Sequence, residues 1–323
     1  MAVERTRPTG SEPEYVSERF TSSAEQEGSR LDAAVAAWTG LSRSAAAQLC
    51  AEDRVSFRGR PAPKSHRVGA AETYTVQVPV PEDPHRIAAQ HVPDLRLVHV
   101  SPGYVVIDKP AGVAAHPSPG WKGPTVVGAL AGAGITVATS GAPERQGIVH
   151  RLDVGTSGLM VVARDENAYT VLKRAFKERT VTKVYHTVVQ GIPDPLSGTV
   201  DAPIGRHPGH HWKFAVLDDG RPSVTHYETL EVFGRATLLE VHLETGRTHQ
   251  IRVHTSALRH PCVGDLTYGA DPRLAAELGL TRQWLHAHRL AFPHPVTGEP
   301  VTITSPYPDD LAHALAALRG DED

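Results

Sequence analysis

From about residue 95 onward the chain alternates short apolar segments with polar turns, and this alternation most constrains its fold. Strands are expected at residues 104–108, 158–163, 184–189, 223–232 and 236–243. Turns of hairpin length separate the strands as often as helices do, and short turns can join only antiparallel strands. Asp165 is expected to cap one helix, and a last helix should start at Asp309. The pattern favours an α+β fold with a mixed, mainly antiparallel sheet over a doubly wound one.

A smaller helical and strand-forming module precedes this region. Ser29 and Asp32 have the spacing of a capping box, and Gly40 follows the helix that they would start. Ser42 is expected to cap a second helix that ends near residue 52. A turn and two short strands complete the module, at residues 58–59, 54–57 and 73–78. The sequence therefore predicts a small domain over residues 19–80.

The remaining segments set the domain boundaries. Residues 1–18 are polar and rich in Pro, Gly and Glu, so a disordered tail is expected there. Residues 81–94 contain several prolines among mixed charges, which is typical of a linker. The larger domain should then cover residues 95–323.

Composition narrows the function classes. No segment has the roughly 18 consecutive apolar residues of a membrane span, and no secretory signal is evident, so a cytoplasmic protein is expected. With two cysteines, Cys50 and Cys262, neither a disulfide framework nor a cysteine-based zinc site is expected. The net charge of −3 hides a basic bias between residues 28 and 70. The basic residues there are Arg30, Arg43, Arg54, Arg58, Arg60, Lys64 and Arg67. This bias fits phosphate binding and a solvated arginine-rich surface equally well.

Residues 147–164 hold the densest set of reactive side chains. Two apolar strands are expected to flank a polar loop, in which Gly155 and Gly158 allow tight turns. The polar side chains of the loop are His150, Arg151, Asp153, Thr156 and Ser157. A carboxylate beside an arginine in such a loop suits a nucleophile or a base. Taken alone, Asp153 fits a turn residue that bonds its own backbone at least as well.

Motifs in a fixed order along the chain resemble the RluA family of pseudouridine synthases, which act on large-subunit ribosomal RNA and some tRNA. The run from His150 to Asp153, followed by residues 156–158, resembles the catalytic signature of that family. Further matches are residues 107–112 with 116–117, 183–185, 246–254, 261–265 and 285–290. The resemblance spans about residues 95–305 and implies the pseudouridine synthase fold. The combination is specific, although any one motif alone is less so.

The resemblance implies a role for several side chains. Asp153 would be the catalytic carboxylate, Arg252 would keep it ionised, and Tyr185 would stack on the target uracil and serve as a late base. Arg151 would fill the gap left by an extruded uridine, because guanidinium planes stack on bases. His150 is grouped with the RNA-contacting residues, although we prefer a loop-shaping backbone hydrogen bond for it and leave a proton shuttle open.

The small module resembles the S4 RNA-binding domain that many members of the family carry. The match lies in residues 29–32, 41–44 and 55–63, whereas Asp53 and residues 70–71 depart from the usual pattern. The resemblance implies that six basic residues contact RNA, namely Arg30, Arg43, Arg54, Arg58, Arg60 and Lys64.

Pseudouridine formation breaks the N1–C1′ bond, turns the uracil and forms a C5–C1′ bond, so it requires no redox cofactor, nucleotide or metal. The sequence contains no P-loop, zinc-protease or paired-cysteine motif. With 19 histidines, a metal enzyme nevertheless stays open, and His207, His210 and His211 are the closest group. A glycosidase would need a second carboxylate, for which Glu244 is the nearest candidate.

The partner is expected to be structured RNA, with 23S ribosomal RNA ahead of tRNA, and no membrane partner is expected. The S4-like module alone would suit a non-catalytic RNA-binding or ribosome-assembly protein. The presence of Asp153, Tyr185 and Arg252 together favours an enzyme. We expect a monomer.

Overall fold

The chain divides into two compact units, one up to Pro84 and one from His85 onward. The computed structural model describes residues 15–79, 87–118, 120–210 and 212–320. The prediction that a linker reaches residue 94 is wrong, because Ile87 and Val92 pack on the core of the second unit, and Gln90 is hydrogen-bonded to Thr125 and Gly128 there. Residues 81–86 of the predicted linker lie outside the described residues. Within the described ranges, no helix is long and apolar enough to cross a membrane.

The first unit is a four-stranded antiparallel sheet with two helices packed on it. Its elements are β1 (Tyr15–Thr21), α1 (Leu31–Thr39), α2 (Arg43–Ala51), β2 (Val55–Phe57), β3 (Arg60–Pro61) and β4 (Thr73–Pro79). The strand order is β1-β4-β2-β3. Leu31 and Val35 of α1 are fully buried against Val55 and Tyr74 of the sheet. A single apolar face of α1 therefore joins the helices to the strands.

Strand β1 begins inside the predicted tail, so the prediction of a tail reaching residue 18 is wrong. Residues 15–21 pair with β4 along their whole length, although most of their side chains are exposed. Backbone hydrogen bonds hold such an edge strand without the apolar alternation that sequence patterns detect. Residues 1–14 of the predicted tail lie outside the described residues.

In the first unit, one of the two predicted helix caps is present. Ser42 caps α2, and its hydroxyl accepts a hydrogen bond from the backbone N–H three residues on. The predicted capping box at Ser29 is wrong, because α1 has Arg30 as its N-cap. The Asp32 carboxylate binds the side chain of Arg30 in two hydrogen bonds of 3.1 Å, so it does not reach back to the start of the helix.

The second unit is built on one large sheet, with β10 and β11 forming a separate hairpin. Its strands are β5 (Arg96–Val100), β6 (Tyr104–Lys109), β7 (Ser157–Ala163), β8 (Thr182–Gln190), β9 (Ser197–Asp201), β10 (Ile204–Arg206), β11 (Phe214–Val216), β12 (Val224–Val232), β13 (Ala236–Leu243), β14 (Leu285–Pro293) and β15 (Pro300–Thr304). Its helices are α3 (Val126–Gly132), α4 (Glu166–Lys177), α5 (Gln250–Ala257), α6 (Pro272–Glu277) and α7 (Asp309–Arg319).

The large sheet has the order β5-β6-β7-β14-β8-β13-β12-β9, with β15 paired to β14. Neighbouring strands are antiparallel except for β7 and β14, which run parallel. This arrangement confirms the prediction of an α+β fold with a mixed, mainly antiparallel sheet. The predicted cap of α4 is also present, since Asp165 accepts a hydrogen bond from the backbone N–H of Ala168 at 2.8 Å.

Strand β7 lies at the centre of the unit and is buried at all seven positions. Met160 and Val162 point to one core cluster, which includes residues of α3 and α5. Leu159 and Val161 point to the other, which Leu172 of α4 covers. Burial on both faces explains why this strand is a continuous apolar run rather than an alternating one. The polar loop of residues 150–156 thus leads directly into the best-packed strand of the domain.

Gly158 allows β7 to approach β14 closely. Its φ is +111°, and a Cβ atom there would lie 2.7 Å from the backbone nitrogen of Ala287 and closer still to the Ala287 carbonyl oxygen. Both neighbours are backbone atoms of a central strand, so neither can move aside cheaply. Glycine is therefore required where the loop enters the sheet.

We expect Gly158→Ala to lower the free energy of unfolding by about 3 kcal/mol or more, through backbone strain and overpacking. Chemical denaturation of the full chain, followed by tryptophan fluorescence, to which the buried Trp284 contributes, measures this loss. Gly209→Ala is the matched control, because its Cβ would meet its first neighbour at an ordinary 3.6 Å. It should change stability by less than about 0.5 kcal/mol. Equal effects of the two substitutions would contradict the packing argument.

Candidate active site

The loop that carries Asp153 is a hydrogen-bonded turn. The Thr156 N–H donates to the Asp153 carbonyl oxygen at 3.0 Å, so the residue does serve as a turn former. Its side chain stays partly open, with 16% of it exposed. Before the loop, the expected first strand is wrong: residues 147–149 make only an isolated bridge, from Ile148 to Val162. A turn at Asp153 is therefore compatible with a side chain that remains accessible.

Arg252 stands beside Asp153, as the sequence predicted. Its Nη1 atom lies 3.7 Å from Asp153 Oδ2. The rest of the buried guanidinium binds Asp265, with Nε–Oδ2 and Nη2–Oδ1 distances of 2.6 and 2.9 Å, and the group lies over the Tyr268 ring. Burial opposes the charge of Arg252, but the hydrogen bonds to Asp265 and the charges of both aspartates raise its pKa. Arg252 is therefore a fixed cation that faces Asp153.

Tyr185, the third predicted residue, lies on β8 and lines the same cavity as Asp153 and Arg252. The ring is buried, and burial followed by the charge of Asp153 raises the pKa of its hydroxyl. The cavity has a volume of about 390 Å³, which lies within the usual range of small-molecule sites. Leu285 and Ile251 supply apolar surface beside the Tyr185 ring. The cavity thus offers an aromatic wall and a carboxylate to a planar ligand.

The lining of this cavity is strongly basic. Its lysines and arginines are Arg151, Lys177, Arg179, Lys183, Arg247 and Arg252, against the acidic residues Asp153 and Glu244. The side chain of Arg151 is exposed next to the loop. Glu244, the candidate second carboxylate of a glycosidase, is bound by Arg179 and His226 at 3.0 and 2.9 Å. A chain of net charge −3 therefore concentrates positive charge around this cleft.

His150 shapes the loop through the backbone. Its Nε2 atom accepts a hydrogen bond of 3.0 Å from the Val161 N–H, and its ring stacks on Phe176 at 4.5 Å. Burial, helped by the charge of Lys183, lowers the pKa of His150 to about 3. The ring is therefore neutral, and Nε2, which accepts this bond, is the unprotonated nitrogen. This geometry matches the loop-shaping interpretation rather than a direct contact with RNA.

Lys109 is a site residue to which the sequence analysis gave no role. It is fully buried, and its Nζ donates to the carbonyls of Pro110, Val113 and Val154 at 2.9, 2.9 and 3.3 Å. The Gly112 N–H also donates to the Val154 carbonyl. Burial lowers the pKa of Lys109 to about 7, and the charge of Asp153 opposes this shift. The lysine thus fixes the residue that follows Asp153 to the loop after β6.

Asp265 and His249 were also missed as site residues. Both lie in segments that matched family motifs, but nothing in a one-dimensional pattern shows that Asp265 binds Arg252 or that His249 Nε2 lies 4.0 Å from Asp153 Oδ2. In the described ranges, no three His, Cys, Asp or Glu side chains are placed to hold a metal ion. Of the predicted histidine group, His207 and His210 stack at 5.0 Å, and His211 lies outside the described residues.

In the first unit, four of the six predicted RNA-binding residues pair with acids. Arg30 and Arg43 face Asp32, at 3.1 and 3.8 Å. Arg54 and Arg58 face Glu52 and Glu72 in the same way. The remaining two residues, Arg60 and Lys64, are exposed. Surface pairs of this kind are weak and leave the cations able to meet phosphates, but they reduce the net positive charge of the patch.

Comparison with known proteins identifies the class. A family model described as RNA pseudouridylate synthase matches residues 103–257. An uncharacterised RNA pseudouridine synthase of Mycobacterium bovis is 60% identical over 294 residues, which cover 91% of this chain and 96% of the relative. A ribosomal large subunit pseudouridine synthase D of Xanthomonas campestris is 43% identical over 91% of this chain and 90% of its own.

Solved structures agree with the sequence comparison. Human RNA pseudouridylate synthase domain containing 4 superposes with a TM-score of 0.55 at 26% identity, covering 69% of this chain and 92% of the human one. Human RNA pseudouridylate synthase domain containing 1 gives 0.54 at 29% identity, covering 70% and 95%. The chain belongs to the RluA family of RNA pseudouridine synthases. It is accordingly an isomerase, as the resemblance implied.

The environment of His150 predicts a pH dependence of stability. The folded pKa of about 3 lies below the unfolded value near 6.5, so the unfolded chain binds more protons between these values. Unfolding free energy should therefore fall as the pH drops through 6.5. In His150→Gln, whose side-chain oxygen can accept the Val161 N–H without titrating, this slope should be smaller by up to about 1.4 kcal/mol per pH unit. Denaturation at pH 7 and pH 5 measures the slope, and identical slopes would refute the prediction.

Proposed function

We propose that the enzyme isomerises uridines of large-subunit ribosomal RNA and that Asp153 is its catalytic carboxylate. The observation that carries the proposal is the convergence of Asp153, Arg252 and Tyr185 on one basic cavity, from a loop, a helix and a strand. The buried Arg252 places a fixed positive charge 3.7 Å from Asp153 Oδ2, while the partly exposed carboxylate stays accessible to a ligand in the cavity.

The reaction needs a carboxylate at the target nucleotide and no imported group. The N1–C1′ bond breaks, the uracil turns in place, and C5 bonds to C1′ while the C5 proton leaves to a base. Asp153 would act on the sugar or on the base, and the Tyr185 ring would hold the uracil face while it turns. The raised pKa of Tyr185 keeps its hydroxyl protonated at the outset. It could accept the C5 proton only while it passes its own hydroxyl proton to solvent, so that the phenol ends the step with one proton, as it began.

The target uridine must leave its base stack to reach Asp153, at a cost of a few kcal/mol. Arg151 is exposed two residues before Asp153 in the same loop. Its guanidinium plane would fill the vacated position while the basic cavity lining attracts the neighbouring phosphates. One loop would therefore both open the RNA and act on the extruded nucleotide.

Ribosomal RNA is proposed as the substrate on two grounds. Relatives of about equal length are named ribosomal large subunit pseudouridine synthase D, among them one from Vibrio cholerae at 41% identity. The S4-like first unit adds a separate basic surface, which suits a large structured RNA. An enzyme of ribosomal RNA works where ribosomes assemble, so we expect it in the cytoplasm. A tRNA substrate is the alternative, and mapping pseudouridine in both RNA classes distinguishes the two.

We expect Asp153→Asn to abolish pseudouridine formation while leaving RNA affinity within a few-fold of wild type, because the substitution removes a charge without removing volume. Pseudouridine in total RNA is mapped from cells that carry the wild type, the variant or no copy. Glu244→Gln is the matched control, since Glu244 also lines the cavity but is engaged by Arg179 and His226. Product from the Asp153→Asn enzyme would refute the assignment, and modification in tRNA alone would refute the ribosomal substrate.

We expect the first unit to contribute phosphate contacts. The double variant Arg60→Ala/Lys64→Ala should weaken binding to a ribosomal RNA fragment. It should also lower the slope of log affinity against log salt by about 1 to 2, because binding then neutralises fewer phosphates and releases fewer counterions. The double variant Arg235→Ala/Arg273→Ala in the second unit controls for net charge, because it also removes two exposed positive charges and neither residue lines the cavity. The same slope for wild type and the Arg60→Ala/Lys64→Ala variant would exclude Arg60 and Lys64 from the RNA interface.

A further inference from the structure

His249 occupies a strained position beside the catalytic loop. It is the N-cap of α5, with φ 58° and ψ 21°, which is the left-handed conformation that few residues other than glycine adopt. Its side chain is four-fifths buried, and Nε2 lies 4.0 Å from Oδ2 of Asp153. A strained backbone beside reactive groups persists when the surroundings fix that residue for a purpose. The role of this side chain is not explained by the Asp153, Arg252 and Tyr185 set.

The other ring nitrogen of His249 has a defined partner. Its Nδ1 atom lies 2.8 Å from the Tyr268 hydroxyl, and that oxygen already accepts the Phe214 N–H at 3.1 Å. A tyrosine hydroxyl has one proton, so it can donate that proton to His249 Nδ1. Burial lowers the pKa of His249, although the charge of Asp153 opposes the shift, so the ring is neutral. In this tautomer Nε2 carries the ring proton and points it toward Asp153.

Arg252 and His249 approach the same carboxylate oxygen. The Arg252 Nη1 and His249 Nε2 atoms are 3.7 and 4.0 Å from Asp153 Oδ2. Both distances exceed a hydrogen bond, and catalytic hydrogen bonds often shorten only when substrate is bound. Resting on the proposed role of Asp153, we propose that His249 is a positioning residue whose Nε2–H, together with Arg252, holds Oδ2 and leaves Oδ1 to the substrate.

Other charged and titratable groups lie around His249 and Asp153, and they contribute to the pH dependence of the reaction rate. Arg151 and Arg252 supply positive charge to His249, and Asp265 supplies negative charge. The charge of Asp153 also acts on Lys109, Tyr185 and Tyr268. None of these groups is removed when His249 alone is substituted. A change confined to His249 variants therefore reports on the His249–Asp153 contact.

Two substitutions separate the proposed donor from the backbone strain. The amide nitrogen of His249→Gln can replace Nε2–H as a donor to Asp153. The side chain of His249→Asn is too short to reach Asp153, and its amide oxygen can replace only Nδ1, as the acceptor from Tyr268. Asparagine tolerates the left-handed conformation better than glutamine does. If His249 serves only to hold the backbone geometry, the Asn variant should be the more active of the two. If it is the proposed hydrogen-bond donor, the Gln variant should be the more active.

The experiment measures single-turnover pseudouridine formation by the full chain on a ribosomal RNA fragment, together with RNA affinity and thermal unfolding. We expect His249→Asn to lower the rate constant at saturating enzyme by about 10- to 100-fold with unchanged affinity, and His249→Gln to retain most of the rate. The acidic limb of the pH–rate profile should move to higher pH by about one unit in the Asn variant only, because the carboxylate form loses a donor.

The possible results are distinct. A faster Asn than Gln variant, equal rates for both, or an unmoved acidic limb in the Asn variant would overturn the positioning role. Wild-type enzyme that forms no pseudouridine, or an active Asp153→Asn variant, would instead overturn the proposed function and the inference that rests on it. Tyr268→Phe provides a second check. It removes the hydroxyl that selects the Nε2–H tautomer of His249 and keeps the aromatic ring under Arg252. It should slow the reaction less than His249→Asn does.

Discussion

The buried Arg252 guanidinium is the interaction on which the active site depends. A lone cation at this depth would cost several kcal/mol, and the two-pronged contact with Asp265 offsets that desolvation. Asp265 uses the Nε and Nη2 donors, so Nη1 remains directed at Asp153. The Arg252 Cζ atom lies over the Tyr268 ring, 4.9 Å from its centroid, which adds a favourable cation–π contact. Asp265 therefore acts on Asp153 indirectly: it does not contact Asp153, but it holds the Arg252 guanidinium that faces it.

The backbone that follows Asp153 is held by a second interaction, the hydrogen bond of Lys109 to the Val154 carbonyl. Lys109 ends β6, and its ammonium binds three carbonyl oxygens, one of which belongs to Val154. Burial favours the neutral amine, whereas the charges of Asp153 and Asp108 favour the cation, so a pKa of about 7 for Lys109 reflects opposing effects. Removal of the charge would loosen the loop next to Asp153. The position of the loop next to Asp153 thus depends on the charge of Lys109, a residue remote from it in the sequence.

Local patterns predicted the fold well where burial follows chain periodicity. The apolar run of β7 and the Asp165 cap of α4 appear as predicted, because both depend on residues that are neighbours in the sequence. The edge strand β1 was missed, because it is held by backbone pairing. Asp153, Tyr185 and Arg252 were found through family motifs. Lys109, Asp265 and His249 were not, because their roles rest on contacts between segments that only the folded sheet brings together.

The net charge of −3 was a poor guide to the partner, for a physical reason. Charges at a protein surface are screened over about 8 to 10 Å in physiological salt, so a phosphate senses only the residues of the cleft that it approaches. Six lysines and arginines against two acids line that cleft: Arg151, Lys177, Arg179, Lys183, Arg247 and Arg252 against Asp153 and Glu244. One acid, Glu244, is engaged by Arg179, and the other is the proposed catalytic group. A uridine drawn in by its phosphates would therefore meet the carboxylate of Asp153, which Arg252 and His249 approach at 3.7 and 4.0 Å.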